Sequence, residues 1–324
     1  MDLFSLLKET SAYKTVLMDK TADRLSHAYL VISADGKSLG EYLKIFAKTI
    51  LRNDDEVSAR TGNLIDQGVH PDVLTFPKNG ESVLKEDVTA IIEETFYKPI
   101  ESDKKIFLIN NGESMNASSQ NKLLKTLEEP PKGVHIIIGA TSEYPLLSTV
   151  KSRMKKLVIP PFSKEQLFNA LKDDCVDEER LKEAIACGDG TVGTALALYD
   201  DDYLSDTVAL AEDVFINMKS SRNVLEYSLR IAGLKDGAAE FISVLGSLCR
   251  DFMLYLNGEE NAVFNKSALD RIKNAEGFNR GAIIYIADRI FEAERKIAAN
   301  VNPQAVVERL LFDFLEGKHK WQKL

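Results

Sequence analysis

The sequence predicts an α/β domain built on a parallel sheet, followed by a region made only of helices. Short apolar segments alternate with segments of helical spacing from residue 27 to residue 160, which is the pattern of a parallel sheet covered by helices. After the double proline at 160–161 the strand-like segments stop, while helical spacing continues to the end of the chain. These observations divide the chain into an α/β part and an all-α part.

The clearest element is a strand followed by a capped helix. Ile106–Ile109 is a run of bulky apolar residues between two lysines and a polar turn, so we predict a short buried strand there. Ser114 or Asn116 is expected to cap the next helix, because either side chain can accept a hydrogen bond from a free N–H of the first turn. Leu123 is expected on the buried face of that helix and Gln120 off it.

A second strand completes the unit. The double proline at 130–131 ends the helix, since proline offers no N–H to it. Val134–Ala140 then gives another apolar run, and two strands joined by one helix are expected to pair in parallel. Ligands of such sheets bind at the carboxyl ends of the strands, which here carry Asn110–Asn111 and Thr141–Ser142.

The remaining elements follow from the same periodicities. Residues 1–26 read as one or two helices, and His27–Ile32 and Val73–Phe76 as strands. Ser163 is a good N-cap, with Gln166 three residues on to complete a capping box. Helical spacing is also found at 39–50, 51–66, 83–97, 164–172, 177–186, 191–199, 206–219, 221–233, 237–257, 266–275, 279–300 and 304–316.

Composition limits the classes of function. The chain has 324 residues, of which 44% are hydrophobic and 28% charged, as in an ordinary globular protein. It has no apolar run of membrane-spanning length and no secretory signal, and its three scattered cysteines make no disulfide framework or metal site. We therefore expect a cytoplasmic protein without a bound metal. The net charge of −9 argues against a broad nucleic-acid surface.

The loop after the first strand carries the tail of a phosphate-binding motif. Gly36, Lys37 and Ser38 follow a strand and begin a helix, the place where backbone N–H groups and a lysine hold phosphates. The first glycine of that motif should fall at residue 31, which is Val31 inside the strand. Asp35 also places a carboxylate where a phosphate would lie. An ordinary strand-to-helix turn is the favoured interpretation, and nucleotide binding is the alternative.

The acidic pair of an ATPase is also missing. In a hydrolytic site of this layout, an aspartate would hold Mg²⁺ and a glutamate would polarise the attacking water after the strand 106–109. This chain has Asn110 and Asn111 there, and a neutral amide serves neither purpose. Glu113 lies two residues further on and is not expected to substitute. The loop and the acidic pair are degraded independently, which favours a domain that does not hydrolyse ATP.

Five motifs in this order resemble the bacterial clamp-loader subunits of the AAA+ class. They are His27-Ala-Tyr-Leu30, Gly68-Val-His-Pro-Asp72, Leu123-Leu-Lys-Thr-Leu-Glu-Glu-Pro-Pro131, Ala140-Thr-Ser142 and Ser152-Arg153. The third motif is specific to this family, and Asn302-Pro-Gln304 resembles the family's C-terminal end. The absence of both nucleotide motifs is similar to the non-hydrolysing, delta-prime type of subunit.

The resemblance implies that an arginine of this chain acts at the ATP site of a neighbouring subunit. Ser152 and Arg153 match the family's Ser-Arg-Cys motif, in which the arginine reaches the ATP site of the neighbouring subunit, and Met154 replaces the cysteine. The implied partners are the tau/gamma ATPase subunits and the delta subunit, and, through the assembly, primed DNA and the sliding clamp. The holoenzyme would be a DNA-directed DNA polymerase, a nucleotidyltransferase. No ATPase activity, nucleotide cofactor or membrane partner is implied for the chain alone.

The sequence also departs from the clamp-loader pattern at positions that bind metal or nucleotide in other members. Residues 52–69 contain no cysteine, so the four-cysteine zinc module of many clamp-loader subunits is not expected. Gly193 stands where ATPase members carry a nucleotide-contacting arginine. The resemblance also implies three parts: an AAA+ domain over 1–162, a small helical lid over 163–205, and a helical collar domain for oligomerisation over 206–324.

Three questions stay open at this stage. Arg153 stands in a basic run and could be an ordinary solvated residue. Glu128 and Glu129 sit near a helix C-terminus, where acidic side chains are unfavourable, and the sequence gives them no role. The competing function is an active ATP-binding clamp-loader ATPase of the tau/gamma type that uses Gly36–Ser38.

Overall fold

The chain divides into two compact units in a computed structural model that describes residues 2–52, 58–78, 82–200, 204–234, 237–298 and 301–320. The first unit comprises Met1–Asp174 and Thr191–Gly193, and the second comprises Cys175–Gly190 and Thr194–Leu324. The three-part division expected from the resemblance stays a prediction, and its boundary near 205 borders residues outside the described ranges.

The first unit holds a five-stranded parallel sheet. The strands lie in the order β2-β3-β4-β1-β5, with every neighbouring pair parallel. The strands are β1 Ala28–Ser33, β2 Val73–Phe76, β3 Lys105–Ile109, β4 Val134–Ala140 and β5 Lys155–Ile159. The helices of this unit are α1 Leu3–Lys8, α2 Ser11–Thr21, α3 Leu39–Leu51, α4 Ala59–Asp66, α5 Lys85–Glu94, α6 Ala117–Glu128, α7 Ser148–Lys151 and α8 Lys164–Leu171. The predicted α/β class with a parallel sheet is confirmed.

The central strands β3 and β4 are fully buried. Every residue of β3 and β4 is buried, as expected for strands covered on both faces by helices. The edge strand β5 alternates instead, since Leu157 and Ile159 are buried while Val158 is 47% exposed. Strand β5 was not predicted from the sequence, because Lys155 and Lys156 make its first half look like a solvated charge run.

The helix α6 buries one side chain that the sequence placed off its apolar face. Asn116 caps it, with its Oδ1 accepting from the N–H of Ser119 at 2.9 Å, and Leu123 is buried as expected. The placement of Gln120 off the buried face was wrong, because this side chain is only 1% exposed. Its amide is satisfied by backbone groups, including the N–H of Leu147 at 2.7 Å. A buried amide is tolerated here because its polar atoms have partners.

The second unit is entirely helical in its described residues. Its helices are α9 Glu178–Cys187, α10 Val192–Asp200 from Thr194 onward, α11 Leu204–Asn217, α12 Ser221–Ala232, α13 Gly237–Leu256, α14 Lys266–Ile272, α15 Arg280–Ala298 and α16 Pro303–Lys320. Its core contains four close aromatic rings, those of Phe215, Phe252, Phe278 and Phe314. Within the described ranges, no helix combines the length and apolar character needed to cross a membrane.

The His-Pro-Asp motif anchors the segment that leads into β3. Asp72 is fully buried, and its carboxylate accepts from the N–H groups of Ile100, Glu101 and Ser102 at 2.6–2.8 Å. Burial alone would raise the pKa of Asp72, but these hydrogen bonds outweigh it and hold the pKa below its usual range. The motif therefore has a structural role in positioning the start of β3.

We expect Asp72→Asn to lower the free energy of unfolding by about 2–3 kcal/mol at pH 7, because charge-assisted hydrogen bonds to a buried carboxylate are lost. The folded pKa is depressed, so the carboxylate contributes fully above the unfolded pKa of about 3.9 and loses that contribution as the pH falls through the folded value. Urea unfolding of both proteins should therefore show a gap that shrinks on acidification. A gap that widens below pH 4 would contradict this role of the Asp72 carboxylate.

The turn after β3 requires a glycine at one position. A Cβ at Gly112 would lie 2.3 Å from Cγ2 of Ile138 and 3.2 Å from the carbonyl oxygen of Gly139, both on β4. Gly112→Ala should cost about 1–3 kcal/mol of stability by overpacking. Gly62→Ala is the matched control, because that position lies in α4 with nothing within 4 Å of the added Cβ. Gly62→Ala should stabilise the protein by up to about 1 kcal/mol. The urea unfolding midpoints of the two variants measure both effects. Equal effects would contradict the steric requirement for glycine at position 112.

Candidate functional site

The loop between β1 and α3 is organised around the Asp35 carboxylate. Asp35 is 3% exposed, and its Oδ1 accepts from the N–H of Ser38 at 3.0 Å. Its Oδ2 accepts from the Tyr42 hydroxyl at 2.9 Å and from the N–H of Val192 at 3.0 Å. The N–H of Gly193 lies within 3.2 Å of both oxygens. A single carboxylate thus collects three backbone N–H groups and one hydroxyl.

These donors have a shared electrostatic character. Ser38 precedes the first turn of α3, and Val192 and Gly193 are the first two residues of α10. The first N–H groups of a helix have no partner within the helix and carry partial positive charge, which makes them good donors to an anion. In a phosphate-binding loop such groups hold a phosphate. Here they hold a side chain of the same loop.

The space around the Asp35 carboxylate is closely filled on the side of Gly193. A Cβ at Gly193 would lie 2.5 Å from Oδ1 of Asp35 and 2.6 Å from Cβ of Lys37, so no side chain fits at that position. The side chain of Lys37 is exposed, and no ion pair or hydrogen bond is found for it among the described residues. Burial and the neighbouring Asp35 charge raise the pKa of Tyr42 above its ordinary value, so this hydroxyl stays a donor.

The ends of β3 and β4 lie beside this loop, as expected from the sequence. A Cβ at Gly40 in α3 would be 3.4 Å from Nδ2 of Asn110, and one at Gly36 would be 3.0 Å from Cγ2 of Thr141. Asn110 keeps a buried Oδ1 for which the described residues offer no hydrogen-bond partner. Its neutral amide does not supply the negative charge that an ATPase places here.

Asn111 and Glu113 complete the turn rather than a metal site. Asn111 adopts the left-handed conformation, with φ 54° and ψ 46°, which asparagine tolerates better than most residues. Glu113 directs Oε1 at Thr141, whose N–H donates to it at 2.9 Å and whose hydroxyl also bonds to it. Glu113 and Thr141 are thus engaged with each other. Among the described residues, no group of three or more potential ligands could hold a metal ion.

A second cluster surrounds Arg153 at the end of α7. Its Nη1 donates to the carbonyl of Thr149 at 2.8 Å and to Oγ of Ser152 at 3.3 Å. Its Nη2 lies 2.6 Å from Oε1 of Glu128, and the Arg153 side chain is 34% exposed. Ser152 in turn donates to the carbonyl of Thr149 at 3.1 Å. Arg153 is therefore held in a defined orientation near the surface.

Ser152 and Arg153 were predicted as site residues from the sequence, whereas two residues that contact this segment were not. Gln120 bonds to the N–H of Leu147, the residue that precedes α7, and so connects α6 to the segment carrying the arginine. Glu128 pairs with the arginine directly. A glutamate at the unfavourable end of a helix was the available signal for Glu128, and Gln120 gave no signal distinguishing it from a surface residue.

The fold and these two clusters define a class of protein: a parallel α/β domain whose loop after the first strand is filled by its own carboxylate and which carries an arginine near its surface. A family described as "DNA polymerase III, delta subunit" matches residues 8–163. The chain is similar to the delta-prime subunit of DNA polymerase III from Bacillus subtilis, with 25% identity over 91% of this chain and 92% of that protein. The chain therefore resembles DNA polymerase III subunits over most of its length.

Two other proteins are also similar to this chain. The gamma subunit of DNA polymerase III from Buchnera aphidicola is 28% identical over 55% of this chain and 52% of that protein. A gamma-subunit-related protein from Thermotoga maritima aligns structurally over 94% of this chain and 99% of that one, with 18% identity and a TM-score of 0.45.

Asp35→Asn tests the loop. The amide keeps the shape of the carboxylate but removes its charge and points a donor at other donors, so we expect a loss of about 2–3 kcal/mol in the free energy of unfolding. The control is Asp173→Asn, an exposed aspartate that should change stability by less than about 0.5 kcal/mol. Urea unfolding at pH 7 measures both, and an unchanged midpoint for Asp35→Asn would show that the carboxylate does not hold the loop.

Proposed function

We propose that this chain is a non-hydrolysing, delta-prime-type subunit of a DNA polymerase III clamp loader. It supplies Arg153 in trans to the ATP site of a neighbouring subunit and helps to load the sliding clamp on primed DNA in the cytoplasm. The observation that carries the proposal is the contrast between a loop filled by Asp35 and an arginine held near the surface. The similarity to the delta-prime subunit over nearly the whole chain supports it.

The chemistry of Arg153 suits a role at a phosphate. Arginine stays charged at all working pH values, and its planar fork of donors matches phosphate oxygens. Its two terminal nitrogens are anchored by Thr149, Ser152 and Glu128. Among the described residues no partner is found for its Nε–H, which leaves one edge of the guanidinium for an external anion.

The loop argues against the tau/gamma alternative. A bound phosphate would have to displace the Asp35 carboxylate from three N–H groups. Mg²⁺ would then meet Asn110 and Asn111, whose neutral amides are weak ligands compared with carboxylates. The chain would therefore lack both the cradle and the charge that ATP–Mg²⁺ requires.

The assembly partners that we propose are tau/gamma ATPase subunits and a delta subunit. Large apolar side chains are exposed on the helices of the second unit, including Leu225 and Leu229 on α12 and Ile284 and Phe291 on α15. Exposed apolar surface of this kind is typical of contacts between subunits. We assign residues 206–324 to the collar that joins the subunits, 163–205 to the lid, and 1–162 to the AAA+ domain.

Arg153→Ala should slow ATP hydrolysis at the neighbouring site when the full chain is reconstituted with its ATPase partners. An arginine finger in trans is worth roughly 10³–10⁵ in rate, so the DNA-stimulated ATPase of the assembly should lose the share contributed by that site. Lys156→Ala is the control, since it removes a nearby positive charge that pairs with Glu143. Unchanged turnover by an intact Arg153→Ala assembly would refute the finger.

A direct test separates this proposal from the tau/gamma alternative. A fluorescent ATP analogue with Mg²⁺ should show no saturable binding to the isolated chain, because the phosphate position is occupied by Asp35. Micromolar saturation that Lys37→Ala abolishes would favour the active ATPase instead.

A further inference from the structure

We propose that Glu128 is a positioning residue for Arg153, which holds the guanidinium in the orientation used at the neighbouring ATP site. The inference rests on the proposed function and deepens it. It assigns a role to a residue of the Leu-Glu-Glu-Pro-Pro stretch for which the sequence alone gave none.

The contacts fix the guanidinium from two directions. The carboxylate of Glu128 holds Nη2 at 2.6 Å, while the Thr149 carbonyl and the Ser152 hydroxyl hold Nη1 at 2.8 and 3.3 Å. A planar group anchored through both terminal nitrogens has a defined plane and direction. A long arginine side chain without such anchors would lose much more rotamer freedom on meeting a phosphate.

The Arg153 guanidinium gives a physical reason for an acidic residue at position 128. It is the last residue of α6, where the free carbonyl groups of the helix carry partial negative charge and disfavour an acidic side chain. The Arg153 guanidinium offsets that repulsion. The side chains of Glu128 and Arg153 are 48% and 34% exposed, so an ion pair between them stabilises the fold little. Its main consequence is the orientation of the arginine.

The neighbouring residue shows that the arrangement is specific. Glu129 has the same charge, is exposed, and has no ion pair or hydrogen-bonded partner for its side chain among the described residues. It follows α6 as its C-terminal flanking residue. Glu128 and Glu129 are therefore a matched pair, one bonded to the arginine and the other not.

The test uses the full chain reconstituted with its ATPase partners. Glu128→Ala should lower kcat for DNA-stimulated ATP hydrolysis at the completed site about two- to fivefold, a modest effect because a partly exposed ion pair is weak. KM for ATP should be unchanged, since the nucleotide binds to the neighbour. Glu129→Ala should leave kcat unchanged. Glu128→Gln should be intermediate, because its amide oxygen still accepts a hydrogen bond from Nη2.

A double-mutant cycle decides whether Glu128 acts through Arg153. In an Arg153→Ala background, Glu128→Ala should have no further effect on kcat, while size-exclusion chromatography shows the assembly intact. A slowing of equal size in both backgrounds, no slowing at all, or faster turnover in Glu128→Ala would each overturn the inference. If Arg153→Ala slows the reaction and Glu128→Ala does not, the proposed function survives without it. If Arg153→Ala has no effect, both fail.

Discussion

The Asp35 carboxylate is the interaction on which the site depends. A buried charge is tolerated only where dipoles or opposite charges replace the lost water. Every partner found for it among the described residues is a neutral donor: the N–H groups of Ser38, Val192 and Gly193 and the Tyr42 hydroxyl. The partial charges of two helix N-termini take the place of a cation. The loop is therefore complete without phosphate.

The residues around Asp35 accommodate its carboxylate. At Gly193, an added Cβ would lie 2.5 Å from Oδ1 of Asp35. Tyr42 contributes a hydroxyl whose pKa is raised by burial and by Asp35, so it remains protonated and able to donate. At the neighbouring strand ends, Glu113 bonds to Thr141. Restoring a nucleotide site would require changes at several of these positions together.

Local signals in the sequence were enough for most of the first unit. Strands β1 to β4 follow from apolar runs, and the caps at Asn116 and Ser163 follow from side chains able to accept a helix N–H. Strand β5 was missed because its pairing with β1 is not visible in a segment that begins with two lysines. Long-range partners carry no local signal. Asp35 accepts a hydrogen bond from Val192, which lies 157 residues away in the sequence. The burial of Gln120 depends likewise on its hydrogen bond with Leu147, which the fold brings close.

The contacts within the two clusters bear on the role that we propose for Arg153. The buried Asp35 carboxylate is already satisfied by neutral donors, so it does not need the Arg153 guanidinium. The bonds found for Arg153 in the described part of the chain go to Thr149, Ser152 and Glu128, none of which belongs to the loop. Those bonds orient the group and leave its Nε edge open. An arginine that is oriented, partly exposed and unused by its own domain has the physical properties required for phosphate recognition in trans.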